Sequence, residues 1–115
     1  METKNVIAAL TALAQESRLA VFRLLVQAGP AGMAATKISE CVGVPPSSLS
    51  FHLKEMSYAN LLTSRQEGRF VIYAANYDTM NNLMGFLTEN CCGGNLCSPQ
   101  QDCAPECQVA QADVE

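Results

Sequence analysis

Apolar residues recur at helical spacing through most of the first 90 positions of this chain, with one interruption. Over residues 4–14, Ile7, Leu10, Leu13 and Ala14 fall on one stripe, which predicts a first helix with that stripe as its apolar face. Ser17 stands where a side chain can cap a second helix. Leu19, Phe22, Leu25 and Val26 then form an apolar face, and Gly29-Pro30 stops it. A third helix, about Ala34–Val42, places Ile38, Cys41 and Val42 together and ends at Gly43, with Cys41 expected as a small core residue. A fourth opens at Pro45-Pro46-Ser47, a pairing suited to a first helical turn. It carries Leu49, Leu53 and Met56 on one side, and Asn60 then ends it. The period next shortens: Thr63–Gln66 and Arg69–Tyr73 read as two strands of a hairpin turning at Glu67-Gly68. Helical spacing returns over Tyr77–Glu89 with Met80, Leu83, Met84 and Leu87. Past Asn90 the chain turns to Gly, Pro, Gln and Cys, with too few apolar residues to fold alone. No internal repeat is visible.

The pattern predicts a mainly α protein with one β-hairpin, and a division into a folded domain, 1–90, and a Cys-rich, largely flexible tail, 91–115. A length of 115 residues suits one domain with a core of its own. Nothing reads as a signal peptide or a membrane span, so a cytoplasmic location with reduced thiols is the expectation.

The third and fourth helices, with the tight Gly43-Val44-Pro45 turn between them, make a helix-turn-helix candidate. Ser47, Ser48, Ser50 and His52 lie off the core stripe of the fourth helix, and short polar side chains there suit phosphates and base edges. Lys54, and the hairpin's Arg65 and Arg69, suit contacts to the nucleic-acid backbone. An ordinary helix pair with serines chosen for capping shares the pattern, and the hairpin downstream favours a winged helix-turn-helix. A net charge of −4 argues against nucleic acid until its distribution is read. Residues 1–30 and 31–75 each carry +1, whereas residues 76–115 hold no Lys or Arg and carry −6. No paired acid and base, no Gly-rich phosphate loop and one histidine speak against an enzyme.

Three segments, "LTALAQESRLAVFRLL", "VPPSSLSFHLKEMSYANLL" and "SRQEGRFVIYAANYDTM", resemble in order and spacing the ArsR/SmtB family of metal-responsive repressors over about residues 5–88. The resemblance implies a winged helix-turn-helix homodimer paired through its first and last helices. It also implies that the helix from about Pro46 to Tyr58 enters the major groove of a near-palindromic operator.

Family members hold their metals in different places. One arsenic-sensing pattern is a Cys-x-Cys before the recognition helix; the matching positions here are Ala34 and Thr36, which cannot bind a soft metal. A zinc- or cobalt-sensing pattern uses Asp and His on the last helix, where this chain has Asp78 but no His. The sole histidine, His52, sits in the recognition helix and is expected to face DNA or solvent.

The remaining candidates are five of the six cysteines, all between Cys91 and Cys107. Cys91 and Cys92 are adjacent, Gly93-Gly94 lets the backbone return, and Cys97 follows, so the three can converge on one thiophilic ion. Trivalent arsenic and antimony take three thiolates and need no fourth, and the pattern resembles family members with a C-terminal arsenite site. Cys103 and Cys107 are possible auxiliary ligands. The expected function is a repressor released from operator DNA by As(III) or Sb(III). The same fold sensing cadmium or lead, or a thiol redox regulator, stays open as an alternative.

Overall fold

The computed structural model describes residues 1–94, in two compact units: Met1–Met84, and a second that begins at Gly85. The first unit opens with α1 (Thr3–Leu13) and α2 (Glu16–Ala28), followed by the short strand β1 (Met33–Ala34) and α3 (Ala35–Val42). Helix α4 (Pro46–Tyr58), the strands β2 (Leu62–Glu67) and β3 (Phe70–Ala75), and α5 (Tyr77–Leu87) complete the order, with the boundary between units falling inside α5. This is the mainly helical architecture with a hairpin wing that the pattern predicts. No helix among the described residues is long and apolar enough to cross a membrane.

The core draws on every helix of the first unit. Val21, Phe22 and Leu25 of α2, Ile38 of α3 and Leu49, Leu53 and Met56 of α4 are buried together with Leu61, Leu62, Ala74, Ala75 and Leu83. Burial of each large side chain contributes about 1.5–3 kcal/mol against leaving it in water. Helix α1 departs from expectation. It buries Val6, Ala9 and Ala12, while Ile7, 56% exposed, and Leu10 point outward. Two alanines let one helix approach another closely, so the side with small residues docks and the bulkier stripe is left outside. The cap of α2 also differs from expectation: Gln15, not Ser17, caps it, its Oε1 accepting from the Arg18 N–H at 2.9 Å.

Gly43, at φ 72°, ends α3 in the left-handed conformation, and the Ser39 hydroxyl donates to the Val44 carbonyl at 2.5 Å across the turn. Helix α4 then starts with Pro46 in its first turn. Its far end is closed by a left-handed Asn60 (φ 62°): the Asn60 N–H donates to Ser57 O and the Leu61 N–H to Met56 O, both at 3.0 Å. That is the double hydrogen bond of a Schellman stop, with apolar Leu61 and Met56 both fully buried beside it.

The sheet has order β1-β3-β2 and is antiparallel throughout. Leu62 pairs with Ala75 at the buried end and Glu67 with Phe70 at the tip, so the hairpin turns at Gly68-Arg69, one residue later than expected. Strand β1, which the pattern did not predict, pairs Met33 with Tyr73 and Ala34 with Ile72. The approach is close: Gly32 has φ 72°, and a Cβ there would run into the Tyr73 carbonyl oxygen. Asn76 opens α5, its Oδ1 accepting from the Thr79 N–H at 3.3 Å, and the Tyr77 hydroxyl donates to Val26 O at 3.0 Å. In the second unit α5 ends at Leu87, short of the expected Glu89. Asn90 turns left-handed (φ 60°) before a single 3-10 turn over Cys91–Gly94.

Candidate functional site

Successive residues of an α-helix stand about 100° apart, so burial of Leu49, Leu53 and Met56 fixes which side of α4 meets solvent. Ser47, Phe51, Lys54 and Tyr58 lie along the middle of that side, with Ser48 and Ser50 exposed on its flanks. Two of these were not anticipated: Phe51 is 55% exposed and Tyr58 is 74% exposed. Their helical positions opposite the core stripe were the available signal. No side chain caps α4, and its first turn holds no acidic residue. Its N–H groups and positive dipole end therefore favour an anion such as phosphate.

His52 is half-buried on the flank toward α2, where its Nδ1 accepts from Arg18 Nε at 3.3 Å. Lys54 Nζ lies 5.8 Å from the Tyr58 ring centroid, leaving the ammonium at the surface. The two wing arginines have different surroundings. Arg65 donates to Glu67 Oε2 at 2.7 Å, to Ala31 O at 2.7 Å and to Pro30 O at 3.5 Å, so it braces the wing against the loop after α2. Arg69 sits in the turn at the tip and has no hydrogen bond or ion pair among the described residues. The exposed serines, Lys54 and Arg69 thus share the unit with a helix face and a wing tip free to meet a nucleic acid.

Among the described thiols, Cys41 is exposed, against the expectation of a core residue. Helix α3 leans inward on Ile38, with Ala35, Ser39 and Val42 half-buried beside it, and Cys41 lies off that side. In the second unit, Cys91 and Cys92 bring their Sγ atoms to 3.5 Å. Adjacent side chains on an extended chain point to opposite faces. Here the 3-10 turn, with Cys92 at φ 56° and Gly93 at φ 67°, gathers them instead. Two sulfurs bonded to one ion at about 2.3 Å each stand no more than about 4.6 Å apart, so this pair fits a shared soft ion. The hydrogen bond with Cys92 comes first among the causes that hold the Cys91 thiol above its ordinary pKa; burial and the neighbouring thiolate add to it. The described residues contain no cluster of three or more His, Cys, Asp or Glu for a metal. Cys97, Cys103 and Cys107 lie outside the described residues.

Residues 13–65 match the family described as a helix-turn-helix domain. The chain is 35% identical over 81 residues to the arsenical resistance operon repressor of Bacillus subtilis (strain 168), covering 70% of this chain and 73% of that protein. It is 29% identical over 80 residues to the nodulation protein NolR of Rhizobium meliloti, again over 70% of this chain but only 63% of that protein's length. Among solved structures, the homodimeric winged helix-turn-helix DNA-binding domain of a possible ArsR-family transcriptional regulator from Mycobacterium bovis superposes with TM-score 0.62 at 20% identity, over 83% of this chain and 88% of that one. The fold, the helix-turn-helix match and the identity to the Bacillus repressor agree: the chain belongs to the ArsR family of DNA-binding transcriptional regulators and is not an enzyme.

Proposed function

We propose that the protein is a cytoplasmic repressor that binds operator DNA as a homodimer and releases it when trivalent arsenic or antimony is held by the thiolates of Cys91, Cys92 and Cys97. The observation that carries this reading is the Cys91–Cys92 sulfur pair, 3.5 Å apart in a turn that follows α5. The arsenical resistance function of the Bacillus relative supports the choice of ion. Cys103 and Cys107 serve as auxiliary ligands, so residues 91–115 form the sensing segment and residues 1–90 the DNA-binding and dimerisation domain. The outward Ile7 and Leu10 of α1 and the exposed Met84 and Leu87 of α5 supply apolar surface for pairing two copies.

In this reading α4 lies in the major groove. Ser47, Ser48 and Ser50 meet base edges and phosphates, His52 flanks them, and Lys54 and Arg69 take the backbone. Arg65 acts on DNA chiefly by holding the wing in place. When bound, the ion supplies a cross-link among thiolates. The coupling between ion and operator is reciprocal, so DNA weakens metalloid binding by the same factor by which metalloid weakens DNA binding.

The test is fluorescence anisotropy of a labelled duplex, selected by the reduced protein from a random pool, during titration with arsenite, antimonite, cadmium, lead and zinc. Release at low stoichiometry by arsenite and antimonite, lost in Cys92→Ser, is the expected result. Release only by cadmium or lead changes the inducer. Indifference to every ion with sensitivity to peroxide makes the tail a redox device.

A further inference from the structure

The most exposed apolar ring in the middle of α4 has no part in the reading so far. Phe51 stands on the solvent side of the helix, one turn after Ser47 and one turn before Lys54. An isolated exposed apolar side chain needs no explanation. This one is different because it is held. The Arg18 guanidinium carbon lies 6.0 Å from its ring centroid, and the His52 ring meets it at 5.9 Å between centroids and 60° between planes. Arg18 and His52 are themselves joined by the 3.3 Å hydrogen bond. Two neighbours on one side thus restrict the ring of a side chain that still shows more than half its surface.

We propose that Phe51 is a specificity-determining residue that contacts the 5-methyl group of a thymine in each half-site. A phenyl ring has no hydrogen-bonding group, so it cannot serve phosphates or the donor and acceptor code of the base edges. The apolar feature a major groove offers is the thymine methyl, and Phe is among the side chains that take it. Arg18 and His52 act as positioning residues: with the ring restrained before binding, less side-chain freedom is lost on contact. The proposal rests on α4 being the DNA-reading helix, and the experiment separates the two.

The full-length reduced protein selects duplexes from a random double-stranded pool. Each thymine of the selected site is then replaced singly by deoxyuridine, which removes the methyl and nothing else. Wild type should lose roughly fourfold in affinity at one thymine per half-site, the worth of one buried methyl. Phe51→Ala should bind the thymine and uracil duplexes alike, and Phe51→Leu should keep part of the difference. A wild type indifferent to uracil at every thymine, or a Phe51→Ala variant that keeps the discrimination, overturns the proposal and leaves the DNA reading intact. Selection of no specific duplex overturns both. A Phe51→Ala protein that sediments as a monomer while wild type is dimeric assigns the ring to self-association and also overturns the proposal.

Discussion

Single residues carry sharp consequences here. Gly32 and Gly43 share a φ of 72°, but only Gly32 backs onto a carbonyl oxygen, that of Tyr73; around Gly43 the space is open. Gly43→Ala is therefore expected to lose about 1 kcal/mol from the left-handed backbone alone. Gly32→Ala should lose about 2 kcal/mol or more and lower Tm by roughly 10 °C, measured by circular dichroism melts. Cys91 offers a pH test. A thiol whose pKa is raised holds less thiolate at neutral pH, and the thiolate is the nucleophile. Iodoacetamide should accordingly label Cys91 more slowly at pH 7 than Cys92→Ser protein labels at the same position, with the gap closing as pH rises, read by peptide mass spectrometry. At this scale the sequence points to the exposed serines but not to Phe51, because an apolar side chain reads as core until its position opposite Leu49, Leu53 and Met56 is taken into account. It also misplaced Cys41, since a helix of eight residues with one fully buried side chain leaves too short a stripe to orient it.

At the scale of elements, α4 was legible within a residue or so at each end, because independent signals agree: a proline pair at its opening, three core residues at i, i+4 and i+7, and Asn60 beyond the end. The stop makes a prediction. Asn60→Gly should preserve or slightly raise stability, whereas Asn60→Val, β-branched at positive φ, should cost about 1–2 kcal/mol in urea titrations. Strand β1 was invisible because two residues carry no period, and its pairing is decided by β3 rather than by its own sequence. The face of α1 was misjudged for another reason. Val6, Ala9 and Ala12 run beside Ile7 and Leu10, and hydrophobicity alone cannot say which stripe meets the chain's own core.

For the whole molecule, that exposed stripe is the handle. If Ile7 and Leu10 pair two copies, Ile7→Glu should shift sedimentation from dimer to monomer while circular dichroism stays helical, and binding to a selected duplex should fall with it. Charge acts at the same scale: the first 75 residues are mildly basic, and the acidity follows them. If that surface meets DNA as proposed, affinity should fall steeply with salt, but less than for a heavily basic repressor, measured by anisotropy at increasing ionic strength.

The position of β3 has a mechanical consequence. It lies between β1 and β2, and β1 runs directly into α3. The wing is thus sewn by backbone hydrogen bonds to the strand that leads into α3, and the Arg65 brace adds a second stitch at Pro30 and Ala31. Through Ile72 and Tyr73 the middle of β3 is tied to β1, so the hairpin cannot lift as a whole without breaking the Met33–Tyr73 and Ala34–Ile72 pairs. If α4 and the wing meet DNA as proposed, the β1 pairing and the Arg65 brace favour release by a tilt of wing and helix together over a folding of the hairpin at its base.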